Sequence, residues 1–381
     1  MIDPAITALH ERLFTIDTHL DTPTARLLRP DWDFGVAHEV TADGSQCDLP
    51  RMRAGGLDAA VFAAYTGQNA RTPEADALVH AHARRALERT HEVLAEHASE
   101  CGLALTAADG PRLKAEGRRA IYLSIENSYP LGRDAGRVGE FHALGVRMLG
   151  LTHMLNNDVA DASTDPRGPE WGGLSPFGRE VVAECNRLGL VLDASHASDD
   201  ALWQLLDCSR TPVVLSHSGC RAVCDHPRNI GDDLLRALAA KGGVIQINAL
   251  GTAVRRDARA PARDAAIAAM LRRVADGVPT PAFKAWASGE WGRIEREFPN
   301  PGITLGDYVR HVEHAVEVAG IDHVGIGCDF DGGGGVAGLN SVADYPALTA
   351  ALVARGWGEP ALAKLWGGNT LRVLAAAGAA R

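Results

Sequence analysis

The sequence predicts an α/β chain closed into a single (β/α)8 TIM barrel, with an insertion after the seventh strand. Three observations predict it. Eight short apolar runs of strand length recur along the chain, stretches of helical periodicity separate most of them, and six of the eight end on a histidine or a carboxylate. The length agrees, because 381 residues exceed two average domains yet suit one barrel spanning 1–381.

Taken in order, the runs are LFTID (13–17), AAVFAAY (59–65), AIYLSIE (120–126), VRMLGLT (146–152), LVLDAS (190–195), PVVLSH (212–217), GVIQINA (243–249) and HVGIGCD (323–329). The first crossover, 22–58, is irregular and holds no clean helix pattern. Helical periodicity follows at 74–98, 175–189 and 198–208; the last two open on Ser or Asp at an N-cap position, and the first follows Thr-Pro. Residues 250–310, rich in Ala, Arg and Pro, are too long for one crossover helix and read as a helical insertion. No internal repeat or low-complexity tail is evident.

Hydrophobic residues make up 46% of the chain and charged residues 23%, ordinary values for a globular protein with a large core. The formal charge of -10 argues against nucleic acid or an anionic membrane surface as partner, since both select basic patches. The first residues, MIDPAITALHERLFTIDTHLD, show no leader pattern, and no apolar run approaches the ~20 residues of a membrane span. No membrane anchor and a cytoplasmic location are the expectations. Seven cysteines, an odd number without paired CxxC motifs, suggest reduced thiols. Cys220 and Cys224 lack a second pair to complete a metal site.

In a barrel the chemistry belongs at the C-terminal ends of the strands. Strand one runs into His19 and Asp21, which alternation points to one side. The other strand ends deliver Glu126, His153, His196, His217 and Asp329, with Asp331 just beyond. One such residue alone is satisfied polarity at a strand end. Together they would repel or lose solvation at a cost of several kcal/mol, and divalent metal removes that cost. Three histidines and two carboxylates exceed one catalytic Zn²⁺ and suit two ions sharing a carboxylate, roughly 3.5–4 Å apart. His196 and His217 are assigned to one ion, His19 and Asp21 to the other. His80 with His82, and His311 with His314, are expected on solvated helix faces. The Gly332–Gly335 run lacks the Lys-Ser/Thr of a phosphate loop and is expected to form a flexible rim.

The stretches IDTHLD, SIEN, LTH, DASHAS, LSHSGCRAVCDHPRN, GVIQIN, VGIGCDFDG and GGNTLRVL, in order from about residue 13 to about residue 375, resemble the membrane (renal) dipeptidase family of zinc hydrolases, on an amidohydrolase-like barrel. The resemblance implies two Zn²⁺ ions and dipeptide substrates with a free C-terminal carboxylate, cleaved by a metal-bridging hydroxide. It implies Glu126 as the carboxylate bridging His19 and Asp21 to His196 and His217. It further implies that His153 contacts the scissile carbonyl, that Arg228 pairs with the substrate carboxylate, and that Asp329 is the acid/base. A homodimer is compatible with it. Two departures bear on side-chain specificity: Asn127-Ser128 where many relatives carry Gly-Gly, and Ala249-Leu250 where some carry aromatics. The competing readings are a deaminase, lactonase or phosphotriesterase on the same barrel, and a non-catalytic binding protein. Arg228 and the intact ligand series favour the dipeptidase.

Overall fold

A computed structural model describes residues 2–299 and 302–380. Asn300 and Pro301, within the predicted insertion, lie outside the described residues, as do Met1 and Arg381. The strands in chain order are β1 (Ile16–Leu20), β2 (Ala59–Tyr65), β3 (Cys101–Leu103), β4 (Arg119–Glu126), β5 (Val146–Gly150), β6 (Val191–Asp193), β7 (Val214–Cys220), β8 (Asn229–Ile230), β9 (Val244–Ile247) and β10 (Val324–Ile326). Eight of them follow one another, all parallel, in the order β1-β2-β4-β5-β6-β7-β9-β10. A parallel bridge between Leu20 and Phe330, with the Asp21 N–H donating to the Phe330 carbonyl at 3.0 Å, carries the ring across from β10 to β1. The fold is a TIM barrel.

Two short strands add to the eight expected from sequence. β3 pairs with the first half of β4, and β8 pairs with Gly219 and Cys220 at the end of β7. The first crossover is irregular but contains three brief helical segments, a π-helical turn at Pro23–Leu27 and the α-helices Val40–Asp43 and Leu49–Ala54, the last capped by the Asp48 carboxylate on the Arg51 N–H.

Alternation along the strands builds two cores. Ile16, Ala59, Val61, Ala120, Tyr122, Met148, Val191, Val214 and Val244 form one cluster, closed by Val373, Leu374 and Ala377 of the C-terminal helix. The residues between them, such as Phe62, Ile121, Leu149, Leu192, Leu215 and Ile245, join a larger cluster shared with the surrounding helices. Two-residue periodicity assigns the first cluster to the barrel interior. Following it upward leads from Tyr122 to Glu126, from Val191 to Asp193 and from Val214 to Ser216. The site is therefore the continuation of the interior column.

The crossover helices Pro176–Leu188 and Asp199–Cys208 start where Ser175 and Ser198 accept from the Gly178 and Ala201 N–H groups. After β9, the helices Ala260–Ala275 and Pro281–Glu297 pack through Met270, Leu271 and Ile294 onto Met154 and Leu155, next to His153. The following barrel helix, Leu305–Ala319, begins inside the predicted insertion because Thr304 and Asp307 form a capping box there. Among the described residues no helix is long and apolar enough to cross a membrane, and the seven cysteines are free.

Candidate metal centre

β1 ends by presenting His19, with Asp21 one step past the strand, and β4 ends on Glu126. β7 carries His217 within the strand. Regular pleating would turn His217 away from the interior face of Ser216, but the β7–β9 register shifts between Leu215 and Ser218. His196 lies beyond β6 and takes φ 70°. Asp329, beyond β10, takes φ 62°, and Asp331 takes φ 65°. Such left-handed backbone is uncommon outside glycine and clusters where a side chain must be aimed against local preference.

Glu126 is the centre of the arrangement. Its Oε2 lies 3.3 Å from His19 Nε2, while its Oε1 lies 3.1 Å from His196 Nε2 and 3.5 Å from His217 Nε2. Asp21 Oδ2 stands 3.8 Å from His19 Nε2. The two ring nitrogens His196 Nε2 and His217 Nε2 face each other at 3.0 Å. His19, Asp21 and Glu126 bring ligand atoms within 4.8 Å of one another, as do His19, His217 and Asp329, and Glu126, His153 and His196.

Burial leaves the carboxylates without the positive charge that would keep them ionised, and the histidines neutral, a balance that a bound cation would complete. Desolvation, with Glu126 and then Asp329 and Asp331 as like charges, raises Asp21 well above the usual carboxylate range. Desolvation first, with Asp193 adding, pushes Glu126 up to about 8. Asp329 is pushed up to about 7, again mainly by desolvation. His196 and His217 are lowered by burial and by neighbouring positive groups, so both rings are neutral and offer a lone pair. His19 Nε2, Asp21 Oδ1, Glu126 Oε2 and His196 Nδ1 are buried and have no hydrogen-bond partner among the described residues. Buried, unpartnered nitrogen and oxygen donors converging on two sides of one carboxylate fit divalent metal.

Around this set stand residues that could meet a substrate. Arg228 is buried, donates to the His217 carbonyl at 3.0 Å and leaves Nε without a partner; its desolvation lowers it to about 10. β8 holds it in place, since its neighbour Asn229 pairs with Gly219. His153 lies three residues past β5 and is the most open of the cluster, with 18% of its side chain exposed. Burial lowers it to about 3, and its Nδ1 lies 3.5 Å from the Tyr65 hydroxyl. Asp331, by contrast, is drawn out of the cluster. Its carboxylate accepts from Thr22 Oγ1 at 2.8 Å, from Arg26 Nε at 3.0 Å and from the Gln46 N–H at 2.9 Å.

The structure thus brings together all the site residues named from sequence, and it adds residues that sequence reasoning missed. Asp193, Ser216 and Ser195 form a polar layer under the histidines. Asp17 lies under β1, accepting from the His19 and Cys328 N–H groups at 2.8 and 2.9 Å and from the Tyr345 hydroxyl. Of these, the Asp and Ser of DASH and the Ser of LSH were visible next to the histidines. Tyr65 at the end of β2 was not signalled by any motif.

Three expectations need correction. His311 is not on a solvated face: it is buried, its Nδ1 accepting from the Cys220 N–H at 3.0 Å and its Nε2 facing the Val254 carbonyl at 2.9 Å. His82 is also substantially buried, which lowers it to about 4. The Gly332–Gly335 run is no free rim. Gly332 and Gly334 donate to the Asp329 carbonyl, and Gly335 donates to the Ala249 carbonyl. Asn127 takes φ 72° and turns its amide towards Thr66 and Asn157. Its side chain is spent on loop structure.

A family model described as "Membrane dipeptidase (Peptidase family M19)" matches residues 4–381. A curated relative, Dipeptidase verJ of Clonostachys rogersoniana, is 32% identical over 336 residues, 86% of this chain and 74% of its own length. The crystal structure of the probable dipeptidase PvdM from Pseudomonas aeruginosa superposes with a TM-score of 0.84 at 30% identity, covering 99% of this chain and 98% of that one. That of dipeptidase AC, a metallopeptidase, superposes with a TM-score of 0.77 at 25% identity, covering 96% and 99%.

Proposed function

The chain belongs to the membrane dipeptidase family and is a metal-dependent dipeptidase, and from that premise we propose that it holds two zinc ions and hydrolyses dipeptides bearing a free C-terminal carboxylate. The observation that carries the two-ion reading is Glu126, whose two oxygens face separate ligand sets: His19 with Asp21 on one side, His196 with His217 on the other. Imidazole and carboxylate donors suit zinc. Bound there, the ions supply Lewis acidity towards the scissile carbonyl and bring the pKa of water towards neutrality.

The remaining work falls to the chain's own side chains. Arg228 captures the substrate carboxylate through a planar fork, which suits bidentate pairing better than a lysine would. The Tyr65 hydroxyl beside His153 Nδ1 leaves Nε2 to donate to the carbonyl oxygen as negative charge develops on it. Asp329 takes the proton of the attacking water and hands it to the departing amine.

Elemental analysis after zinc reconstitution should find about two ions per chain, and Glu126→Gln should weaken both. A ceiling of one ion would sink the binuclear reading. Dipeptides should be turned over and their C-terminal amides poorly, with Arg228→Met raising KM at unchanged zinc content. Equal turnover of acid and amide would remove Arg228 from the substrate site.

A further inference from the structure

We infer that Ser216 is a positioning residue shared by both halves of the metal centre, one hydroxyl setting the ring tautomers of His19 and His217 together. That the two rings serve different ions rests on the reading above; the hydrogen-bond geometry does not. Ser216 is fully buried on the interior column of β7. Its Oγ lies 2.5 Å from Asp193 Oδ2, 2.9 Å from His217 Nδ1 and 3.3 Å from His19 Nδ1.

A hydroxyl has one proton to donate and two lone pairs to accept with. The Ser216 proton goes to Asp193, whose Oδ2 is the nearest acceptor and whose Oδ1 is already taken by two backbone N–H groups. Both lone pairs then face the rings, and each ring must carry its proton on Nδ1. In the neutral rings that metal ligation needs, that choice leaves Nε2 bare on His19 and on His217, and these are the nitrogens that face Glu126 at 3.3 and 3.5 Å. The rings are stacked with centroids 3.7 Å apart, so one oxygen can serve both.

Asp193 is held for this task. Its Oδ1 accepts from the backbone N–H of Ser195 and of Ser216, each at 2.9 Å. Ser195 Oγ, 3.4 Å from Ser216 Oγ, in turn accepts from the His217 N–H at 3.0 Å. The two Ser-His pairs of the sequence therefore interlock on one carboxylate. Without the Ser216 hydroxyl, an Nδ1–H on either ring would lose its acceptor. The tautomer protonated at Nε2 would gain, and that proton blocks the ligand position. Partners of this kind typically alter metal affinity by about 10- to 100-fold.

The test uses the full-length protein labelled with ¹⁵N-histidine. In the metal-free wild type both rings should be protonated at Nδ1. Ser216→Ala should move both towards Nε2–H and lower zinc affinity at both steps by about 10- to 100-fold in chelator competition. Asp193→Asn is nearly isosteric and puts an amide donor where the acceptor stood. The serine proton must then turn to one ring, which becomes protonated at Nε2, and this variant decides the matter if Ser216→Ala does not fold. A ring whose tautomer is unmoved in Ser216→Ala, a loss confined to one zinc step, or unmoved tautomers in Asp193→Asn would each overturn the shared role. If the wild type binds one zinc while both tautomers shift as expected, the two-ion reading fails and the hold on both rings stands. Two zinc ions with unmoved tautomers would do the reverse, keeping the binuclear centre and removing Ser216 from its control.

Discussion

Two aspartates follow β10, and both take a positive φ, yet their surroundings divide them. Asp331 is saturated by Thr22, Arg26 and the Gln46 N–H, while the Asp329 carboxylate stays with His19 and His217. Asp329→Asn should therefore retain zinc and lower kcat by about 10²–10⁴, the range for losing a general acid/base. Asp331→Asn should lower kcat less, because its loss loosens a loop anchor. The reverse order, with metal and fold retained in both variants, would mean that the wrong carboxylate has been chosen. At this scale the ligand types were legible, since histidines and carboxylates at strand ends are visible in any sequence. Their partners were less so. A serine between two rings gains its meaning only when β1 and β7 are placed across the barrel from each other.

At the scale of elements, the loop after β10 shows how tightly the rim is built. A Cβ on Gly332 would stand 2.0 Å from Asp21 Oδ2 and 2.3 Å from Asp329 Oδ1. Gly332→Ala should therefore displace one of these carboxylates, lowering zinc content and reducing kcat/KM by at least about tenfold, while the fold bears the ~1–3 kcal/mol typical of overpacking. Gly306→Ala is the control. Its Cβ would meet only Thr304 Oγ1 at 3.6 Å, and activity should be unchanged. Native zinc content and activity in Gly332→Ala would show that the loop yields without cost. Strand positions were readable because fully buried parallel strands are continuous apolar runs. The register shift in β7 and the left-handed turn at His196 were not readable, since both answer to the neighbouring strand. The packing of His311 escaped for a related reason: a histidine on a helix carries no mark of which face its neighbours cover.

For the molecule as a whole, the centre is a burden until it is filled. Glu126 and Asp329 keep their protons to about 8 and about 7 in the metal-free fold, against ordinary values of 4.5 and 3.8. A raised carboxylate favours the folded state at low pH, and that contribution is lost as pH rises towards the folded value. Lowered histidines work in the opposite sense, but only below their ordinary value of 6.5. Between about pH 6.5 and 8 the carboxylates act alone, so the melting temperature of the metal-free protein should fall across that window. Zinc should raise it, each site adding about 2.7 kcal/mol of stability at a free concentration 100-fold above its Kd, and most at the alkaline end. A metal-free melting temperature that rises from pH 6.5 to 8 would contradict this electrostatic account. The sequence by itself determined the barrel and the kinds of groups at its rim, because alternation and apolar run length act locally along each strand. Tertiary structure alone decided which oxygen of Glu126 faces which histidine, which aspartate stays in the cluster and how one hydroxyl comes to lie between two rings. Those choices depend on distances between segments hundreds of residues apart, and no local pattern encodes them.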